Sequence, residues 1–189
     1  MIEIRNDDIL QSTMFSRTQR KVLETKSLFD YFLEIDKYFE KYNYPCILAV
    51  ISEGIDKCPE WVEHIKKNIS RYKIELHGKY HRYYGESSAN ELENELREAK
   101  EKIENTFNVK VSKWYVPFGR KGRHQNGEEV CSILGITQEI PLDKVDAEIW
   151  LERYKKTGAS PFNHLNFHSW ALGQNSYVEK ILDILNEKL

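Results

Sequence analysis

Carboxylates and histidines that could bind a metal ion or move protons follow predicted strands of this chain. They are Asp7 and Asp8, His77 and His81, and His168. Both residue types ligate divalent cations, and imidazole titrates near neutral pH. The spacing of four between His77 and His81 lets both imidazoles point the same way if the segment makes a helical turn. One carboxylate would complete a site of three protein ligands, which leaves a position for the water that a catalytic zinc ionises near neutral pH.

The elements that must position these residues alternate short apolar runs with longer amphipathic ones, a pattern typical of parallel strands and crossover helices. We predict strands at 1–5, 46–51, 74–76, 109–116, 136–140, 147–150 and 165–167. We predict helices at 25–42, 59–70, 88–107, 128–134 and 177–185. The count favours a distorted or incomplete (β/α) barrel of about seven units, built by residues 1–189 as a single domain.

Each half of the candidate site also has an ordinary structural explanation. An Asn-Asp-Asp run such as 6–8 is common in turns. In an isolated H-x-x-x-H pair, His77 could simply end a strand and His81 could lie in a polar loop. Active sites of parallel α/β folds lie at the carboxyl ends of the strands, however, so both pairs converge on one rim. This coincidence favours a metal site over two unrelated loops.

Composition and charge exclude several classes of protein. Twenty-eight Lys and Arg against thirty Asp and Glu give a net charge of −2, which argues against a nucleic-acid binder. The longest apolar runs are too short to span a membrane, and the N-terminus lacks the pattern of an export signal, so we expect a cytoplasmic protein with no membrane partner. Three cysteines without a C-x-x-C pair indicate neither a disulfide scaffold nor a cysteine zinc site. The oligomeric state is left open.

The order of the motifs resembles that of the polysaccharide deacetylase family, carbohydrate esterase family four, also called NodB-homology domains. The resemblance rests on Asp-Asp after the first strand, H-x-x-x-H after the third, aromatic-x-Pro-aromatic-Gly at 115–119 and Leu-x-x-His at 165–168. It spans nearly the whole chain. It implies a distorted barrel of β/α units and a metal-dependent hydrolase that removes N-acetyl groups from a sugar, an oligosaccharide or a cell-wall glycan.

The resemblance also implies a role for each polar residue. Asp8 would join His77 and His81 as metal ligands, Asp7 would be the general base that activates water, and His168 the general acid that protonates the leaving amine. Zinc is the default ion because imidazole and carboxylate in a tetrahedral site suit it. Cobalt, nickel or manganese could bind the same ligands.

Aromatic residues cluster around these motifs, and flat amphipathic rings suit stacking on sugar faces. We predict that the substrate contacts Tyr115, Pro117, Phe118, Gly119 and Trp170. An alternative for the aromatic residues is that several of them only pack the barrel mouth.

Two features of the family are missing from their expected places. Tyr115 stands where the family usually has an arginine that orients the catalytic aspartate. Arg5, on the same side of an ideal strand as Asp7, or Arg120 could substitute, or both could be solvated surface charges. For the family's tryptophan motif the nearest candidates are Asp146 and Trp150.

Two alternative functions follow from these observations. The same metal site could act on a non-sugar amide. The missing arginine raises a different possibility, a glycan-binding module or scaffold whose catalytic machinery has decayed.

Overall fold

Parallel strands alternate with helices along most of this chain. The computed structural model describes residues 2–139, 147–159, 164–171 and 173–187. Its strands are β1 Glu3–Ile9, β2 Cys46–Ile51, β3 Tyr72–Gly78, β4 Lys113–Tyr115, β5 Thr137–Glu139 and β6 His164–Phe167. Its α-helices are α1 Arg17–Leu23, α2 Leu28–Lys41, α3 Pro59–Lys67, α4 Ala89–Phe107, α5 Gly127–Ile133, α6 Ala147–Thr157 and α7 Gln174–Asn186.

The strands form one parallel sheet in the order β5-β4-β3-β2-β1-β6. The order follows the chain around a barrel, because β6 returns to pair with β1. In the residues that the structure describes, strands β5 and β6 are the two edges of the sheet, so the barrel they form is incomplete. The architecture is therefore the distorted (β/α) barrel that the sequence predicts, with six strands in the described residues.

Side chains alternate between the two faces of each strand, and this alternation separates the core into two parts. One face packs against the helices in the main hydrophobic core, with residues such as Ile4, Leu48 and Leu76 fully buried. A separate small cluster of Ile47, Ala49 and Tyr115 lies on the other face. That inner face also presents the polar residues of the candidate site.

The first strand is longer than predicted. The sequence suggests a break at 6–8, but β1 continues to Ile9 and contains both aspartates. The break is a change of backbone conformation inside the strand, because Asp8 has a φ of 63° and the pairing with β2 shifts register between Asn6 and Ile9. Aspartate is among the residues that tolerate this left-handed conformation best.

One predicted strand is wrong, since residues 147–150 begin helix α6. The buried residues Ala147, Trp150 and Leu151 recur at the spacing of a helical face, which a four-residue segment cannot distinguish from a strand. This error accounts for the difference between the seven predicted strands and the six found in the described part of the chain. Ile140, at the end of another predicted strand, lies outside the described residues, as does Met1.

Other boundaries differ by a few residues. The helix predicted at 25–42 is α2, which begins after the N-cap Ser27. The strand predicted at 109–116 is reduced to the three residues of β4. Helix α1 is absent from the predictions. In the part of the chain that the structure covers, no helix is both long enough and apolar enough to cross a membrane.

Helix α4 begins at a capping box, at the residue where the sequence predicts that this helix starts. The Ser88 hydroxyl accepts a hydrogen bond from the Glu91 amide at 3.2 Å, and the Ser88 amide donates to the Glu91 carboxylate at 2.7 Å. Five buried residues then form one apolar stripe: Leu92, Leu96, Ala99, Ile103 and Phe107. The prediction of this helix is confirmed.

We expect Ser88→Ala to lower the free energy of unfolding by about 1 kcal/mol, because it removes the N-cap acceptor of α4. Urea denaturation monitored by circular dichroism measures the change. Ser87→Ala is the matched control, since the buried Ser87 hydroxyl has no hydrogen-bond partner among the described residues. Equal effects of the two substitutions would contradict the assigned cap.

Candidate metal centre

Asp8, His77 and His81 come together at the carboxyl ends of β1 and β3. One potential ligand atom of each residue lies within 4.8 Å of the others. The Asp8 Oδ1 atom is 3.4 Å from His77 Nε2 and 3.1 Å from His81 Nε2. Asp8 and His77 are buried, and His81 is nearly so. The structure thus assembles the three residues that the sequence suggests as ligands.

His77 presents a defined nitrogen to this cluster. Its Nδ1 lies 2.8 Å from the backbone carbonyl oxygen of Tyr115, to which it can only donate. In the neutral imidazole this leaves the lone pair on Nε2, the atom that faces Asp8. A hydrogen bond of this kind on the outer nitrogen is typical of metal-binding histidines.

His81 reaches the cluster through a bend at residues 79–82, directly after Gly78, rather than through a helical turn. Gly78 has a φ of 130°, and a Cβ atom there would lie 2.6 Å from the Tyr84 hydroxyl oxygen. That hydroxyl accepts from the Lys79 amide at 3.0 Å and donates to the Tyr80 carbonyl oxygen at 3.0 Å. The fully buried Tyr84 therefore holds the loop on which His81 lies.

The donor set fits a divalent cation. Asp8 Oδ1 is buried, and no group in the described residues donates a hydrogen bond to it. A buried carboxylate oxygen without a donor is costly, and a cation would satisfy it. Two imidazole nitrogens and one carboxylate oxygen match the ligand types of zinc and related ions.

Asp7 lies beside the cluster in a buried ion pair with Arg5. The guanidinium donates two hydrogen bonds to the carboxylate, from Nε at 2.6 Å and from a terminal nitrogen at 2.9 Å. The Arg5 guanidinium carbon also lies 4.0 Å from the centre of the Tyr115 ring. Of the two arginines suggested by the sequence, Arg5 thus contacts Asp7, whereas the Arg120 side chain is exposed.

His168 approaches the cluster from the far end of the chain. Its Nε2 is 3.7 Å from Asp8 Oδ2, and about a quarter of its side chain is exposed. Pairing of β6 with β1 brings it there, and the amide of Ser169 donates to the Asn6 side-chain oxygen at 3.1 Å. His168 therefore lies at the open side of the site.

Neighbouring positive groups lower the pKa values of both carboxylates, against the effect of burial. Burial raises the pKa of Asp7, but Arg5 and His77 outweigh it and keep the pKa below its usual value. Burial also opposes ionisation of Asp8, yet the three histidines hold its pKa well below the usual range. Both carboxylates are therefore ionised at neutral pH.

The pKa values of the two candidate ligands His77 and His81 shift in opposite directions. Burial lowers the pKa of His77, but the Asp8 and Asp7 carboxylates outweigh it and raise the pKa above 6.5. Burial lowers the pKa of His81 to about 4, and the neighbouring histidines add to the effect. Without a metal ion, His77 is therefore protonated more readily than His81 at mildly acidic pH.

The predicted substrate-binding residues differ in their accessibility. Phe118 is 39% exposed, and its ring stacks on that of Tyr83, which is 50% exposed, with 4.2 Å between the ring centres. The Phe118 ring also lies 4.5 Å from the His81 ring. We call Tyr83 and Phe118 the aromatic platform. Tyr115 and Pro117 are buried, and Gly119 follows Phe118 with a φ of 57°.

Other candidates have different surroundings. The half-buried Trp170 donates its indole N–H to Asp8 Oδ2 at 3.1 Å. Trp150 is fully buried in the core and stacks on Tyr154, so it lies away from the site, and Asp146 is outside the described residues. Sequence reasoning missed Gln19, which contacts Asp8 Oδ2 at 3.2 Å. The Ser16-x-x-Gln19 capping box could have revealed helix α1, but nothing local points Gln19 at Asp8.

Comparison with known proteins identifies the family. The family model for polysaccharide deacetylases matches residues 29–137, more than half of the chain. The chain belongs to this family. The match includes His77, His81 and the 115–119 motif but ends before His168 and begins after Asp8. No curated protein sequence matches the chain.

Solved structures share the fold over nearly the whole of this chain. A mutant of BA3943, described as a CE4 family pseudoenzyme with restored enzymatic activity, has a TM-score of 0.74 at 14% identity, covering 100% of this chain and 63% of its own. The wild-type protein comes from Bacillus anthracis. This chain therefore spans less than two thirds of that protein's length.

Two further solved structures match this chain over more of their own length. The peptidoglycan deacetylase PdaC from Bacillus subtilis has a TM-score of 0.64 at 15% identity, covering 99% of this chain and 83% of its own. A family 4 carbohydrate esterase from Streptomyces lividans, solved with acetate, has a TM-score of 0.68 at 13% identity, covering 99% and 88%. At these identities the likeness establishes the fold.

The raised pKa of His77 predicts proton release when a metal binds, because a ligating imidazole must be neutral. At pH 6 we expect binding of Zn²⁺ to release about one proton, and affinity to fall about tenfold per pH unit below the His77 pKa. Calorimetric titration in buffers of different ionisation enthalpy measures both. His64→Gln, remote from the cluster, should leave proton release unchanged; binding without proton release would refute the assignment to His77.

Proposed function

We propose that this member of the polysaccharide deacetylase family is a metal-dependent hydrolase that removes N-acetyl groups from a sugar, an oligosaccharide or a cell-wall glycan. The observation that supports this most is the convergence of Asp8, His77 and His81 on one buried point. Beside it lie a paired carboxylate, Asp7, and a partly exposed histidine, His168. These residue types match three tasks of hydrolysis, which are to bind the metal ion, to remove a proton from water and to donate a proton to the leaving amine.

The metal would be held by Asp8 Oδ1 and by the Nε2 atoms of His77 and His81. When bound, a divalent ion supplies a Lewis acid for the acetyl carbonyl and for water. Zinc suits this donor set, and cobalt, nickel or manganese could replace it. The Nδ1 contact of His77 with the Tyr115 carbonyl keeps that imidazole in the required orientation.

Asp7 would act as the general base and accept a proton from the attacking water. Both of its oxygens are held by Arg5, which fixes the carboxylate and keeps it ionised. The ring of Tyr115 supports the guanidinium from one face. Arg5 is therefore a positioning residue, placed on the same strand as the base that it orients.

His168 would be the general acid. As the carbon–nitrogen bond of the acetamide breaks and the acetyl carbon keeps the oxygen of the attacking water, His168 would donate a proton to the leaving amine nitrogen. Its position at the open side of the cluster, 3.7 Å from Asp8 Oδ2, suits this task because the amine leaves toward solvent. Asp7 and His168 would thus handle different protons, one from the attacking water and one for the leaving amine.

A sugar is the substrate class that the surroundings favour. The aromatic platform offers a partly exposed ring surface in contact with His81, and such surfaces stack on sugar faces. Acetate release from N-acetylated oligosaccharides in the presence of Zn²⁺ tests the proposal directly. Release only from small amides in the same assay would replace the sugar with a non-sugar substrate.

A decayed glycan-binding module is the second candidate, supported by the likeness to BA3943, whose wild type is described as a pseudoenzyme. The absence of an arginine at position 115 also favours this candidate. The ion pair of Arg5 with Asp7 weighs against it, because Arg5 can orient the carboxylate instead. Saturable binding of the sugar by the zinc-loaded protein, without release of acetate, would establish the glycan-binding module and refute the deacetylase.

We expect His77→Ala and Asp7→Asn to separate metal binding from catalysis. His77→Ala removes a ligand and should lose both bound zinc and activity. Asp7→Asn removes the base but no ligand, so zinc stoichiometry should stay near one while turnover falls by about a hundredfold or more. Elemental analysis and acetate release measure the two effects. Normal turnover of Asp7→Asn would refute its role as the base.

We also expect Tyr83→Ala to raise KM for an N-acetylated oligosaccharide by about fivefold, because it removes half of the aromatic platform. Tyr83→Phe keeps the ring and should behave as the wild type. The zinc affinity of both variants should be unchanged, since Tyr83 is not a ligand. Equal KM values for all three proteins would remove the platform from the substrate site.

A further inference from the structure

The two oxygens of the Asp8 carboxylate have different environments. Oδ1 faces the Nε2 atoms of His77 and His81 and receives no hydrogen bond from the described residues. Oδ2 accepts hydrogen bonds from Gln19 Nε2 at 3.2 Å and from Trp170 Nε1 at 3.1 Å. One oxygen is thus engaged by the protein, and the other is left for a cation.

The direction of the Gln19 contact follows from its network. The Ser16 amide donates to Gln19 Oε1 at 2.8 Å, so this atom must be the oxygen and the nitrogen must face Asp8. The same nitrogen donates to Gln11 Oε1 at 2.5 Å. Gln11 in turn donates to the Thr13 carbonyl oxygen at 3.2 Å. With Gln19 and Gln11 both buried, the amide has no freedom to turn.

Trp170 holds the same oxygen from the opposite end of the chain. Its indole N–H is donor only, so it engages the carboxylate without competing for a cation. Its ring lies against that of His168, with 5.2 Å between the ring centres. The side chain is half-buried, which leaves part of the ring at the mouth of the site.

We infer that Gln19 and Trp170 are positioning residues that orient Asp8 so that it binds the metal through Oδ1 alone. The inference rests on the proposed metal site. Two neutral donors fix the plane of the carboxylate and occupy lone pairs of Oδ2, while adding no positive charge that would repel the ion. Such outer partners of a ligand commonly change metal affinity by about 10- to 100-fold when they are removed.

Gln19 also has a structural role, so a test must separate the two. Gln19→Met removes the donor to Asp8 and the acceptor for Ser16 while keeping the volume. Ser16→Ala removes the hydroxyl that caps α1, but its backbone amide still donates to Gln19 Oε1, so the donor stays in place. Trp170→Phe removes only the indole N–H side and retains a ring beside His168.

The experiment measures the dissociation constant for Zn²⁺ by chelator competition on the full chain, with a thermal unfolding curve for each variant. We expect Gln19→Met and Trp170→Phe each to raise the dissociation constant by about tenfold or more. Ser16→Ala should lower the melting temperature while its dissociation constant stays within about twofold of the wild-type value. With Co²⁺ in place of zinc, the visible absorption spectrum should change in the first two variants only.

Different results refute different statements. Unchanged zinc affinity in Gln19→Met and Trp170→Phe would overturn the positioning inference and leave the metal site intact. An equal loss of affinity in Ser16→Ala would also overturn it, because the effect would then come from the stability of α1. If Gln19→Met does not fold, Trp170→Phe alone decides. A wild-type protein that binds no zinc would instead refute the proposed function.

Discussion

The burial of two adjacent carboxylates on β1 is the constraint on which the rest of the site depends. Asp7 and Asp8 are both buried, and an ionised carboxylate removed from water must be compensated by charge or by hydrogen bonds. Asp7 is compensated by the bidentate contact with Arg5. Asp8 is compensated on Oδ2 by two neutral donors and on Oδ1 only by nearby imidazoles. This incomplete compensation of Asp8 is what makes the cluster suitable for a cation.

The backbone of β1 allows both carboxylates to serve one site. Regular alternation would send adjacent side chains to opposite faces of the sheet. The left-handed conformation of Asp8 and the register shift before Ile9 break this alternation.

Arg5, two residues before Asp7, stays in regular register and pairs with Asp7 on the inner face of the sheet. The ring of Tyr115 contacts the guanidinium there, and Tyr115 belongs to the small hydrophobic cluster with Ile47 and Ala49. The Arg5 guanidinium on β1 thus lies in contact with the side chain at position 115 on β4, the position where the family usually has its arginine.

Loops far apart in the chain complete the site, and each is fixed by contacts of its own. Gly78 and the Tyr84 hydroxyl shape the loop of His81. Helix α1 delivers Gln19 through its capping box. The segment after β6 is tied to β1 by the bond between Ser169 and Asn6. The candidate metal centre is therefore formed by segments that are each held by contacts of their own, which favours precise placement of its side chains.

The sequence by itself determined the residue types at the strand ends and the periodicities of the elements. It predicted His77 at the end of β3, the helix at 88–107 and the barrel class, because these follow from the order and period of apolar and polar residues. It could not distinguish a strand from a helix at 147–150, where four residues fit both periods. Only the tertiary structure decided that Arg5 rather than Arg120 contacts Asp7, and that Gln19 and Trp170 share Asp8 Oδ2. Trp170 and Asp8 are 162 residues apart. Their contact depends on the parallel register of β6 with β1, which no local pattern of residues encodes.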